Sequence, residues 1–120
     1  MSIKERTMET FHVLHEIPEL GFEEEKTSAY LAEKLASFGY EVSRGYGKTG
    51  IVGKLKGSVR GPDVGLRADM DALGHEIDGK KVAIHSCGHD AHSSMVLAAA
   101  EELAKNGIEK GEVQILFQPA

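Results

Sequence analysis

The sequence predicts an α/β fold in which helices are layered on a mixed, mainly buried sheet. Three observations predict it: apolar residues recur at helical spacing through the first 38 positions, three short β-branched segments fill 41–68, and a long helical pattern precedes a strongly apolar strand near residue 118.

From Ser2 to Leu14, Ile3, Met8, Phe11 and Leu14 mark one face of a first helix, which Pro18 prevents from continuing. A second helix is predicted over 27–38, with Tyr30, Leu31, Leu35 and Phe38 on one side and Gly39 as its stop. EVSRGY, IVGKLK and VGLRA then read as strands separated by Gly- or Pro-containing turns. Residues 69–90 show no sustained period and crowd acids and histidines together, so they read as a loop, the usual place for chemistry on a rigid scaffold. A third helix is expected over 93–106, ended by Gly107, with Met95, Leu97, Ala98, Ala99 and Leu103 buried. EVQILFQ, residues 112–118, reads as a strand apolar on both sides, as inside a helix-covered sheet. No repeat or low-complexity linker divides the chain, so residues 1–120 read as one domain.

A net charge of −5 disfavours nucleic acid and anionic membranes as partners, since both attract basic patches. The single cysteine has no internal disulfide partner. The first twenty residues lack the apolar block of a signal peptide, and no stretch approaches the roughly twenty apolar residues that span a bilayer. A cytoplasmic location is the expectation.

Two glycine patterns mislead. Gly45, Gly47 and Gly50 spell G-x-G-x-x-G, but a β-branched strand follows, so no helix amino terminus is available to hold a pyrophosphate. Gly47-Lys48-Thr49 resembles the tail of a phosphate-binding loop, but that loop needs a glycine where Val42 stands. A turn between strands is the better reading of both.

HSCGHDAH, residues 85–92, is the informative segment. In an extended turn Cys87 and His89 can point toward one centre, thiolate and imidazole both bind zinc and its divalent neighbours, and Gly88 between them adds no crowding side chain. A buried thiol beside a surface histidine is the bland alternative. Asp69, Asp71, His75, Glu76, His85, Asp90 and His92 flank the pair, a density of acid and imidazole suited to orienting metal ligands. Other polar groups read more simply: His12 and His15 as solvent-facing helix residues, His92 as a surface or capping residue, and Glu23 to Glu25 as solvated acids complementing the second helix's dipole.

Five ordered blocks carry a resemblance nearly end to end: HEIPELGFEE (15–24), TGIVGKLKG (49–57), LRADMDAL (66–73), HSCGHDAHSSM (85–95) and LFQPA (116–120). With these the chain resembles the metal-dependent amidohydrolases that include aminoacylases, hippurate hydrolases and auxin-conjugate hydrolases, within the aminoacylase and carboxypeptidase clan. The resemblance implies the amino-terminal part of a two-metal hydrolase catalytic domain, with the lid domain absent. It implies Cys87 and His89 as two ligands of a site for two divalent ions, zinc, manganese, cobalt or nickel. It gives Asp71 the role of orienting a ligand; Asp90 is expected to orient a ligand as well, and Asp69 and His85 are candidate outer contacts of the site. Asp69 falls where clan relatives place a metal-binding histidine, and Gly74 stands where the family usually has proline, two departures from the family pattern.

The implied reaction is hydrolysis of the amide bond of N-acyl amino acids or short peptides. The family's general base and later ligands follow LFQPA, so the chain by itself is expected to be inactive. Two readings compete: a non-catalytic remnant that self-associates or binds protein through an exposed sheet edge, and a Cys87 nucleophile activated by His89.

Overall fold

The computed structural model describes residues 2–119. Its elements run α1 (Ile3–His15), α2 (Glu25–Ser37), β1 (Glu41–Tyr46), β2 (Gly50–Lys56), β3 (Val59–Asp69), β4 (Leu73–Ile77), β5 (Lys80–Ile84), α3 (His89–Asn106) and β6 (Lys110–Gln118).

Local chemistry sets the boundaries. Ser2 caps α1 by accepting a hydrogen bond from the Glu5 amide at 3.1 Å, with glutamate at the third helical position. The start of α2 is held from outside, because the Glu19 carboxylate accepts from the amides of Lys26 and Thr27 and from the Thr27 hydroxyl. At α3 the capping position is Gly88, which has no side chain to offer.

Four strands form a mixed sheet in the order β1-β2-β6-β3, in which β6 runs antiparallel to β2 and parallel to β3. A parallel neighbour requires a crossover, and α3 lies in the one that joins β3 to β6. Strand β6 is therefore central, with β1 and β3 at the edges.

Register separates the two faces of the sheet. Ile51, Gly53 and Leu55 lie beside Phe117, Ile115 and Val113, and Ala68 lies beside Phe117 from the other side. This face packs against Leu31 and Leu35 of α2, Leu97 and Ala100 of α3, and Leu14 of α1 in one core. The opposite face carries Val52, Lys54, Gln114, Leu116 and Arg67, none of them buried. Strand β6 thus alternates buried and half-exposed residues, where the sequence predicts cover on both sides. Helices cover one face only among the described residues.

Two helix faces also differ from expectation. Ile3 and Met8 of α1 and Met95 and Ala99 of α3 are exposed, while Thr10, Asp90, Ser93 and Ser94 are buried. Helix α3 begins four residues earlier than its apolar pattern suggests, so the acid and serines of its first turns face inward.

The predicted loop over 69–90 contains a separate hairpin, β4 paired antiparallel with β5. Asp78 (φ 52°) and Gly79 (φ 76°) form its two-residue connection, and positive φ at both positions is what a type I′ turn requires. Asp-Gly between short alternating runs was the signal that could have revealed it. The predicted turn at 47–49 does join β1 to β2, and neither glycine pattern opens a helix.

Candidate metal centre

The candidate residues gather where β3 ends and α3 begins. Asp69 closes β3, Asp71 follows two residues later, Cys87 and Gly88 lead into the helix, and His89 and Asp90 are its first two residues. The Met70 amide bonds the Gln118 carbonyl at 3.0 Å and the Ala72 amide bonds the Glu19 carbonyl at 2.7 Å, so Asp71 sits on backbone tied at both sides.

His89 is the best defined of these side chains. Its Nδ1–H faces the Asp71 carboxylate at 2.9 Å and the Asp71 carbonyl at 3.0 Å, two acceptors that fix the proton on Nδ1. The Nε2 lone pair is therefore left for an external cation. Asp69 Oδ2 lies 3.7 Å from Nε2, and its other oxygen accepts from Arg67 Nη2 at 2.7 Å. The His92 ring stacks on His89 at a centroid distance of 6.0 Å. A carboxylate behind the far nitrogen of an imidazole is the outer partner that metal-binding histidines usually have.

Cys87 is exposed and free. Gly88 adopts φ 91°, and a Cβ there would meet nothing within 4 Å. Crowding is therefore not why this position suits glycine; the left-handed backbone that turns the chain from Cys87 into α3 is.

Asp90 faces the other way. Its side chain is 2% exposed, one oxygen accepts from the Ala91 amide at 2.9 Å, and the other accepts from His15 Nδ1 at 2.8 Å. His85 lies beside them, 7% exposed, with neither ring nitrogen hydrogen-bonded. Burial holds its imidazole below the ordinary pKa, against the upward pull of the Asp90 carboxylate.

Sequence reasoning passed over His15, which reads as a solvated helix residue yet reaches into this cluster from 75 positions away. It also misread Glu24, which is fully buried and accepts from the Thr49 hydroxyl at 2.9 Å. Thr49 lies in the turn before β2, so Glu24 ties the start of α2 to the sheet.

No group of three or more His, Cys, Asp or Glu side chains converges on a single cation among the described residues. The donor chemistry nonetheless fits a divalent ion in part: a thiol, an imidazole nitrogen freed by its neighbour, and a carboxylate oxygen close to that nitrogen. A cavity of about 590 Å³ lies to one side, lined by Pro18, Leu20, Glu23, His75 and Val82 among others, and neither Cys87 nor His89 borders it.

The helix-layered mixed sheet, with acid and imidazole groups gathered at one strand end, defines the class by architecture: an α/β layered domain. Comparison with known proteins agrees. Residues 65–120 match the model of peptidase family M20/M25/M40. The chain is 45% identical over 116 residues to a hippurate hydrolase of Campylobacter jejuni, covering 91% of this chain and 30% of that protein. It is 38% identical over 115 residues to an N-acetyl-L-cysteine deacetylase of Bacillus subtilis, covering 89% and 28%. Among solved structures, a dinuclear metal-binding M20 peptidase of Bacillus subtilis superposes with a TM-score of 0.87 at 32% identity, over 98% of this chain and 35% of that one. Over residues 65–120 the chain is similar to the M20 peptidase family, and it spans about 30% of the length of the curated relatives it matches. Among the described residues no helix is long and apolar enough to cross a membrane.

Proposed function

We propose that this chain contributes the first part of a two-metal site that hydrolyses the amide bond of N-acyl amino acids or short peptides, with Cys87 and His89 as metal ligands. The observation that carries this reading is the pair of contacts from His89 Nδ1 to Asp71, which leave Nε2 as the donor. Divalent ions bound there would supply polarisation of an amide carbonyl and acidification of a water. The chain's own residues supply placement: Asp71 fixes the tautomer and tilt of His89, Asp90 secures the helix turn that carries it, and Asp69 adds negative charge beside Nε2.

The activities for which these relatives are named, on hippurate and on N-acetyl-L-cysteine, support a small acylated amino acid as substrate. The donor set within residues 2–119 is incomplete, so the chain by itself is proposed to hydrolyse no N-acetyl amino acid. Zinc, manganese, cobalt and nickel all suit these donors.

Cobalt(II) titration tests the reading. A thiolate-to-cobalt charge-transfer band is expected, absent in Cys87→Ser and requiring roughly ten- to hundredfold more cobalt in Asp71→Ala. A spectrum identical in the wild type and Cys87→Ser would remove the thiolate from the site.

A second reading, self-association, draws support from the edge strand β3, whose residues 59–65 are all exposed. Light scattering across a concentration series would reveal it as a rising mass.

A further inference from the structure

We infer that His15, the last residue of α1, is a positioning residue for the candidate metal centre: through Asp90 it fixes the first turn of α3, and so the direction in which His89 presents Nε2.

The cap of α3 is Gly88, so the orphan amides of its first turn have no side-chain acceptor from the usual position. Asp90 substitutes, taking the Ala91 amide with one carboxylate oxygen. That carboxylate is almost fully buried, and a buried charge is costly unless it is paired and hydrogen-bonded. The second partner is His15 Nδ1, at 2.8 Å from the other oxygen. Among the described residues no other hydrogen bond reaches that oxygen, and the nearby His85 ring makes none.

His15 is itself held in place. Its ring stacks on Phe11, one turn earlier in α1, at a centroid distance of 5.5 Å and an interplanar angle of 26°. Its side chain is 47% exposed, so one edge meets solvent while Nδ1 points inward. Asp90 and His89 are consecutive residues. Any shift of the first turn that relieves an unpaired Asp90 must rotate His89 against the Asp71 contacts that select its tautomer. His89 is thus located twice, through its ring by Asp71 and through its backbone by the His15–Asp90 contact. The consequence for metal binding rests on the proposed function; the effect on His89 does not.

Two substitutions separate hydrogen bonding from packing. His15→Asn retains an N–H donor near the Nδ1 position and removes the stacked ring; His15→Phe retains the ring and removes the donor. Nitrogen-15 NMR of the metal-free protein at alkaline pH should show His89 protonated on Nδ1 in the wild type and in His15→Asn. In His15→Phe it should show a tautomer mixture, with the Ala91 and His92 amides exchanging roughly tenfold faster and those of 98–103 unchanged. Cobalt should then bind roughly ten- to hundredfold more weakly to His15→Phe alone. Where circular dichroism shows that His15→Phe does not fold, His15→Gln, which displaces the donor by one bond, takes its place.

An unchanged His89 tautomer in His15→Phe would overturn the inference, as would equal losses in the Asn and Phe variants. A wild-type protein that gives no cobalt spectrum would overturn the metal reading instead, while the tautomer comparison still decides the role of His15.

Discussion

Asp71 and Asp90 each accept from an imidazole, but from different ones, and their surroundings differ accordingly. Asp71 accepts directly from His89, whereas Asp90 is turned away from it, buried, and bonded to His15. Tyr40 shows the same dependence on surroundings in the core. Its hydroxyl donates to the Ala100 carbonyl at 2.8 Å, and burial raises its pKa. With the folded value above the unfolded one, the neutral phenol's contribution is complete below about pH 10 and is lost as pH rises through the folded value. Tyr40→Phe should cost about 1 kcal/mol at neutral pH. Urea unfolding should also show a shallower alkaline decline in this variant than in the wild type. His89 and Asp71, which the fold brings into contact, could be singled out because they lie within 19 consecutive residues and bear recognisable chemistry. His15 and Glu24 were not, since a helix-end histidine and a run of glutamates look solvated until the fold brings Asp90 and Thr49 to them.

Among the elements, both early helices and the strands β1, β2, β3 and β6 were legible from periodicity and turn residues, with ends displaced by a few positions. The β4–β5 hairpin was not, because its strands have five residues each and its acids and histidines suggested a loop. Its turn depends on Gly79 at φ 76°. Gly79→Val should therefore destabilise the hairpin by about 1–2 kcal/mol. The pair forms a sheet of its own, so the loss should be local: faster exchange of the β4 and β5 amides with little change in the main sheet. A uniform rise in exchange across β2 and β6 would contradict that independence. The start of α3 escaped notice for a related reason. Its first turns bury an aspartate and two serines, and a hydrophobic period cannot report a helix face made of polar groups.

For the molecule as a whole, stability converges on the middle of the four-stranded sheet. Phe117 is 1% exposed, lies beside Ile51 and Ala68, and joins residues of all three helices in one core. Phe117→Ala should cost about 3–5 kcal/mol. For a chain of this length the melting midpoint should fall by roughly 12–20 °C, which calorimetry would read. A fall of only a few degrees would mean that the core is divided and not shared. The helix-layered sheet was legible at this scale; its one-sided cover was not, because alternation in β6 is masked by Leu116 on the open face.

The sheet order has a consequence for how the chain acquires its shape during synthesis. The strand that joins β2 to β3 in the four-stranded sheet is the last of the six to leave the ribosome, so β3 must wait some forty residues for its neighbour while β1 and β2 can pair only with each other. Until β6 emerges, the nascent segment has two hairpins and three helices but no closed hydrophobic interior. Its cooperative folding should begin only when residues 110–118 are free of the exit tunnel.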